Sequence, residues 1–160
     1  MLRKQIIQAA TARPATTSDE IDIAAVATVL VSSEAPEHPV DHAFDSDRGP
    51  GGTRWIAGEP GDQTLILVFD APQTIRRVVL EVEEPDVART QELQLAVSVD
   101  VGRTYRELSR QEFNFSPPGT TFEREDWAVT AEGVTHLRLW IKPDKGGKTC
   151  RGTITSLVLR

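Results

Sequence analysis

The residue types able to do chemistry are few in this chain of 160 residues. Three histidines, His38, His42 and His136, are the candidate bases, and the single cysteine, Cys150, is the candidate nucleophile. A histidine counts as a general base only beside a nucleophile and an orienting acid. Here His38 and His42 fall in a turn-rich segment and His136 opens a strand-like run, so the sequence offers no such grouping. Neither G-x-S-x-G nor H-E-x-x-H occurs. Cys150 sits in "KPDKGGKTCRG" among basic residues that could lower its pKa, yet a lone thiol in a basic loop is ordinarily unreactive. In the same stretch "GGKT" matches the end of a phosphate loop, but Lys142 stands where the upstream glycine is required and no strand-to-helix context follows. The plainer reading is a solvated basic loop. The chain reads as a non-enzyme.

Two other groups point to binding. Asp45 and Asp47 in "DSD", with Thr53, present hard oxygen donors that would suit Ca²⁺. Their spacing is not that of an EF-hand, and the aspartates could instead accept backbone N–H bonds and fix the loop. The segment "FNFSPPGTTFEREDW" interleaves Phe113, Phe115, Phe122 and Trp127 with Arg124, Glu125 and Asp126. An aromatic face that stacks on C–H groups, beside charged groups that take hydroxyls, is the chemistry of a saccharide or other small polar ligand. Phe113 and Phe115 read as core anchors. Arg124, Asp126 and Trp127 are the ligand candidates, with Glu59 from "AGEPGD" and His38. Trp140 shares a strand face with His136 and Arg138, opposite Leu137, Leu139 and Ile141, and is expected to point outward toward the N-terminal tail or a protein partner.

The elements that must position these residues repeat with a period of two. "ELQLAVSVD" alternates Leu93, Leu95, Val97 and Val99 with Glu92, Gln94, Ala96 and Ser98, as a half-buried antiparallel strand does. "RRVVLEVEE" sets Val78, Leu80 and Val82 against Arg77 and Glu81. "QTLILVFD" is apolar on both faces and reads as a central strand. "THLRLWI" and "GTITSLVLR" supply two more. "EIDIAAVATVLVSS" puts Ile21, Ile23, Val29 and Val31 on one side, although Thr17 and Glu20 also match a capping box and so a helical turn near residue 20. Residues 1–18 read as a tail whose Leu2, Ile6, Ile7 and Ala10 could line a short helix, marginal on its own. Residues 19–160 read as one all-β antiparallel sandwich of the jelly-roll kind, joined by Gly/Pro turns.

Composition narrows the partners. Charged residues make up 26% and hydrophobic residues 39%, with a net charge of −6, which argues against a nucleic-acid backbone. No window approaches the roughly 18 apolar residues of a membrane span. One cysteine precludes an internal disulfide, and the start lacks the apolar run of a secretory signal. These features point to a cytoplasmic protein, monomeric or weakly self-associating.

In order, "VSSEAPEHPVDHAFDSD", "TRWIAG", "QTLILVFDAPQTIRRVVLE", "LQLAVSVDVGRTYREL" and "THLRLWI" resemble a discoidin domain, the coagulation-factor type C module of the galactose-binding-like jelly rolls. The resemblance spans roughly residues 29–160. It implies an eight-stranded sandwich whose loops at one end bind ligands, most plausibly carbohydrate, without catalysis; an intracellular protein-interaction domain on the same fold is the alternative. It implies that Phe44 and Trp55 plug the base of the sandwich. It also implies a calcium in the Asp45–Thr53 loop, completed in sugar-binding relatives by a glutamate near the C-terminus. Ser156 stands at that position here, and the loop carries an extra "GPGG".

Overall fold

Two strands of 21 residues organise the architecture, β3 (Gln63–Glu83) and β6 (Phe122–Lys142). The computed structural model describes residues 19–160, so the expected N-terminal tail lies outside the described residues. The other strands are β1 (Ala27–Val31), β2 (Trp55–Ile56), β4 (Arg89–Ser98), β5 (Arg106–Phe115), β7 (Thr153–Ile154) and β8 (Ser156–Leu159). Every pairing is antiparallel.

The two long strands pair with each other, but their register breaks three times between Val68 and Arg77. Pro72 lies inside this break, where a residue without an N–H is tolerated. The break shifts the register by one net residue, which flips the inward parity. Before it Leu65, Leu67 and Phe69 face the core, and after it Val78, Leu80 and Val82 do. Each long strand is thereby divided. The first run of β3 joins β1 on one side and the last run of β6 on the other, and β4 and β5 continue that layer. The second run of β3 joins the first run of β6 and β8. A five-stranded and a three-stranded layer thus enclose one apolar cluster, with β2 and β7 pairing as a short ribbon. This is the expected jelly-roll sandwich.

Trp55, with no exposed surface, sits in this cluster and donates its Nε1–H to the Ser33 carbonyl at 3.0 Å. Phe44 packs half-buried against the same cluster. Both therefore plug the sandwich as the resemblance implied. Burying so large an aromatic with its N–H satisfied is favourable on both counts.

Two expectations are corrected. Strand β4 is buried on both faces, because short Ala96 and Ser98 lie in register beneath the longer side chains of Arg138 and His136. Val99 does not continue the inward row: it is 62% exposed, past the strand end in the β4–β5 turn. Near the start, a helical turn and the strand each take part of the segment, while Thr17 of the expected capping box lies outside the described residues. Asp22 caps a helical turn, α1 (Ile23–Val26), by accepting the Ala25 N–H, and β1 follows directly.

Candidate functional site

The register places five connections at one end of the sandwich. Val31 lies opposite Leu65, Gln63 opposite Ile141, Glu92 opposite Lys142, Arg89 opposite Phe115, and Glu83 opposite Phe122. Segments 32–54, 57–62, 84–88, 116–121 and 143–152 therefore form a common rim. The turn-rich stretch after Phe44 does not stand free at this rim. Gly49 N–H donates to Glu81 Oε1 at 2.8 Å and Gly51 N–H to Glu83 Oε2 at 3.0 Å. Positive φ at both glycines, 86° and 80°, is what turns those amides toward the sheet. Arg48 pairs bidentately with Glu20 at 3.0 and 3.1 Å, which pulls the Glu20 carboxyl below its ordinary pKa. The inserted "GPGG" is thus a flap pinned over the outer face of the three-stranded layer, and it buries Glu81.

Arg89, the first residue of β4, is the structural centre of the rim. Its side chain is 1% exposed. Nε donates to Glu84 Oε1 at 2.9 Å, and Nη1 donates to the Pro143 carbonyl at 2.8 Å and to Gln91 Oε1 at 3.2 Å. Glu84 is itself fully engaged, since its Oε2 accepts the Asp86 and Val87 N–H groups. Gln91 exchanges two hydrogen bonds with the Thr153 backbone, at 2.8 and 3.1 Å, and so ties β4 to β7. These bonds fix the guanidinium's plane, leaving Nη2 with no protein partner among the described residues.

Arg89 lines a cavity of about 290 Å³ shared with Arg54, Asp86, Val87, Thr149 and Arg151. Local alternation explains the lining. Trp55 and Ile154 are register partners and point into the core, so Arg54, Ile56 and Thr153 turn to the other side. Arg54 Nη1 donates to the Glu83 carbonyl at 3.0 Å, which anchors it at the cavity edge without pairing its charge. Arg151 makes no hydrogen bond or ion pair among the described residues and is exposed. The arrangement is a pocket with two anchored guanidiniums, Arg89 and Arg54, a third, Arg151, without a partner among the described residues, and one free carboxylate, Asp86, as acceptor.

Cys150 also lines this cavity, but burial pushes its thiol up from its ordinary value, with the Arg89 charge opposing. A protonated thiol is a poor nucleophile. The histidines likewise lack catalytic partners among the described residues. The His42 ring contacts the Arg54 carbonyl through Nδ1, His38 meets His42 edge-on at 6.5 Å, and His136 Nδ1 contacts the Thr135 hydroxyl. The "GGKT" amides do not form a phosphate cradle. The Gly146 and Lys148 N–H groups point inward to the Asp144 carboxylate, together with that of Thr90, and these bonds hold its pKa down.

The Asp45–Thr53 loop does not fit a calcium ion. Asp45 Oδ1 accepts the Asp47 N–H at 3.1 Å and Oδ2 accepts the Thr53 hydroxyl at 2.5 Å, so Asp45 and Thr53 bond within the turn itself. No three His, Cys, Asp or Glu side chains among the described residues converge as metal ligands. Ser156 is buried beside Glu81 in register, and Glu81 reaches the loop from that neighbouring strand. A hydrogen bond from Gly49 to Glu81 closes the loop.

Of the five ligand candidates from the sequence, Arg124 and Asp126 pair with each other at 3.5 Å, and none of the five lines the rim cavity. Arg124 and Asp126 stand on the outer face of β6, in ion pairs with Glu81 at 3.5 Å and with Arg77 at 2.6 Å. Trp127 packs against the core with its Nε1 buried, which withdraws it from stacking. His38 and Glu59 belong to separate rim loops. Glu59 is exposed, and its carbonyl accepts the Gln63 amide. Trp140 does point outward, half-buried between Thr64 and Gln94 in register, near Arg138, which stacks on Tyr105 at 4.1 Å. The signal for Arg89 and Gln91 was present: both continue the inward odd-numbered row of Leu93, Leu95 and Val97, where polar residues need buried partners. Arg54, Asp86 and Arg151 carried no comparable mark.

No protein-family model and no curated protein matches the chain. Solved structures do share its fold. CBM32-3, a carbohydrate-binding module of a family 31 glycoside hydrolase from Clostridium perfringens, matches with a TM-score of 0.63 at 14% identity, over 91% of this chain and 96% of that one. The family 32 module of NanJ from C. perfringens, in complex with galactose, matches at 0.61 and 10% identity, over 88% and 96%. The family 32 module of AlyQ, in complex with 4,5-unsaturated mannuronic acid, matches at 0.59 and 16% identity, over 88% and 97%. The chain therefore has the galactose-binding-like jelly-roll fold of these modules.

Proposed function

We propose that this chain is a non-catalytic carbohydrate-binding module whose site is the rim cavity around Arg89. The observation that carries this reading is the Arg89 guanidinium, locked through Nε and Nη1, with no protein partner for Nη2 among the described residues, in the lining of a cavity that also holds Arg54, Asp86 and Arg151. Donors fixed before the ligand arrives cost little ordering on binding. The cavity, near the lower bound of ~300 Å³ for small-molecule pockets, suits one sugar ring. No base–nucleophile grouping occurs among the described residues, which accords with recognition as its chemistry. The neighbours of the same fold that hold galactose and unsaturated mannuronic acid support a saccharide as the ligand class. Calorimetry of the folded chain against a panel of neutral and acidic monosaccharides tests the reading. Binding that Arg89→Lys weakens supports it; no binding to any sugar overturns it.

A second reading, an intracellular protein-interaction domain, is favoured by the outer face of the five-stranded layer. Leu30 is 49% exposed there and Trp140 points outward. A stoichiometric partner lost on Trp140→Ala would favour that reading over the first.

A further inference from the structure

The charges of the rim cavity are not matched internally. Glu84 is taken up by Arg89 and by the Asp86 and Val87 amides, so it offers nothing to a ligand. The cationic groups left over are Arg54, whose one bond is to a carbonyl, Arg151, which has no partner among the described residues, and the free Nη2 of Arg89. Against them stands a single unpaired carboxylate, Asp86, in a chain whose overall charge is −6. No aromatic ring among the described residues lines the cavity. A neutral sugar held without a stacking face would depend on hydroxyl hydrogen bonds that water makes equally well. A carboxylate would instead find guanidinium groups whose N–H bonds to it are charge-assisted.

Resting on the reading of this chain as a saccharide-binding module, we propose that its ligand is an acidic sugar, a uronate whose carboxylate is bound by Arg151, Arg54 and the free Nη2 of Arg89. Asp86 then accepts a sugar hydroxyl and disfavours a second carboxylate beside it.

The test compares D-galacturonate, its methyl ester and D-galactose by calorimetry. The ester keeps the ring and removes only the charge. The acid is expected to bind at least about tenfold tighter than the ester, because the charge-assisted bonds are lost with the carboxylate. Its affinity is expected to fall as salt is raised, and Arg151→Gln should abolish the preference for acid. Arg151 has no partner to lose among the described residues, so this variant should melt like the parent. Equal affinity for acid and ester, or binding of galactose alone, overturns the acidic-sugar assignment and leaves the saccharide reading standing. Failure of the folded protein to bind any of the three, or glucuronate and mannuronate tested beside them, overturns both.

Discussion

Replacing Arg89 with methionine would remove the cation from a side chain that is 1% exposed while keeping much of its volume. Four acceptors then lose a donor: the Glu84 carboxylate, the Pro143 carbonyl, Gln91 Oε1 and, at 3.9 Å, Cys150 Sγ. Gln91 retains the Thr153 N–H and Glu84 retains two backbone amides, so the damage concentrates on the Glu84 charge and the Pro143 carbonyl. Removing one partner of a buried pair costs about 3–5 kcal/mol, a large part of the ~5–15 kcal/mol that holds a domain together. At ~2–4 °C per kcal/mol for a chain of this size, the melting temperature should fall by roughly 6–20 °C. Arg89→Lys, which keeps the charge and loses the planar fork, should fall in between. Urea unfolding followed by tryptophan fluorescence measures the loss. In a double-mutant cycle with Glu84→Gln, the two effects should be non-additive by about 1 kcal/mol or more. A loss below about 1 kcal/mol for the methionine variant, the scale of a surface pair, would refute the reasoning that the guanidinium is the rim's buried tie.

In the β4–β5 turn, Val101 adopts φ 62° while 69% exposed, so it bears left-handed strain without burying its side chain. Val101→Asn should stabilise by about 0.5–1 kcal/mol, read as a higher urea midpoint, since asparagine tolerates this region. Asp100, in the same turn, is held well below the usual carboxylate range, first by the Thr104 hydroxyl and then by Ser98. Its folded pKa is depressed, so its contribution is present above the ordinary carboxylate value and is lost as pH falls through the folded value. Asp100→Asn should therefore cost stability at neutral pH, with the gap to the parent closing below about pH 4. Chelation with EDTA should leave the melting temperature unchanged, because the Asp45–Thr53 loop is closed by its own donors and by Glu81. Glu81→Ala should lower stability by about 1–3 kcal/mol, with or without added calcium, by orphaning the Gly49 amide.

The layers were legible in the sequence because period-two alternation reports directly on which side of a strand is apolar. Leu93, Leu95 and Val97, and likewise Val78, Leu80 and Val82, face inward as their spacing implies. What alternation cannot reveal is the register between distant strands. The net one-residue shift between Val68 and Arg77 joins two rows of opposite parity in one strand, and only the pairing shows it. The site was less legible for the same reason. Arg124, Asp126 and Trp127 look like a ligand group in one dimension, yet their ion pairs and packing partners, Arg77, Glu81 and the core, come from elsewhere in the chain. Arg54, the neighbouring Asp86 and Arg89, and Arg151 come from three distant parts of the sequence, and only the pairing of β2 with β7 and the course of β3 into β4 gather them at one cavity.

The central claim is that the rim around Arg89 is where this fold meets its ligand. Titrating the ¹⁵N-labelled chain with galacturonate and with galactose, and following the amide shifts residue by residue, tests it most directly. Saturable shifts are expected to concentrate at Arg54, Glu84–Arg89 and Thr149–Thr153. Shifts confined to Arg124–Trp127 or to the Trp140 face, with the rim unmoved, would contradict the account.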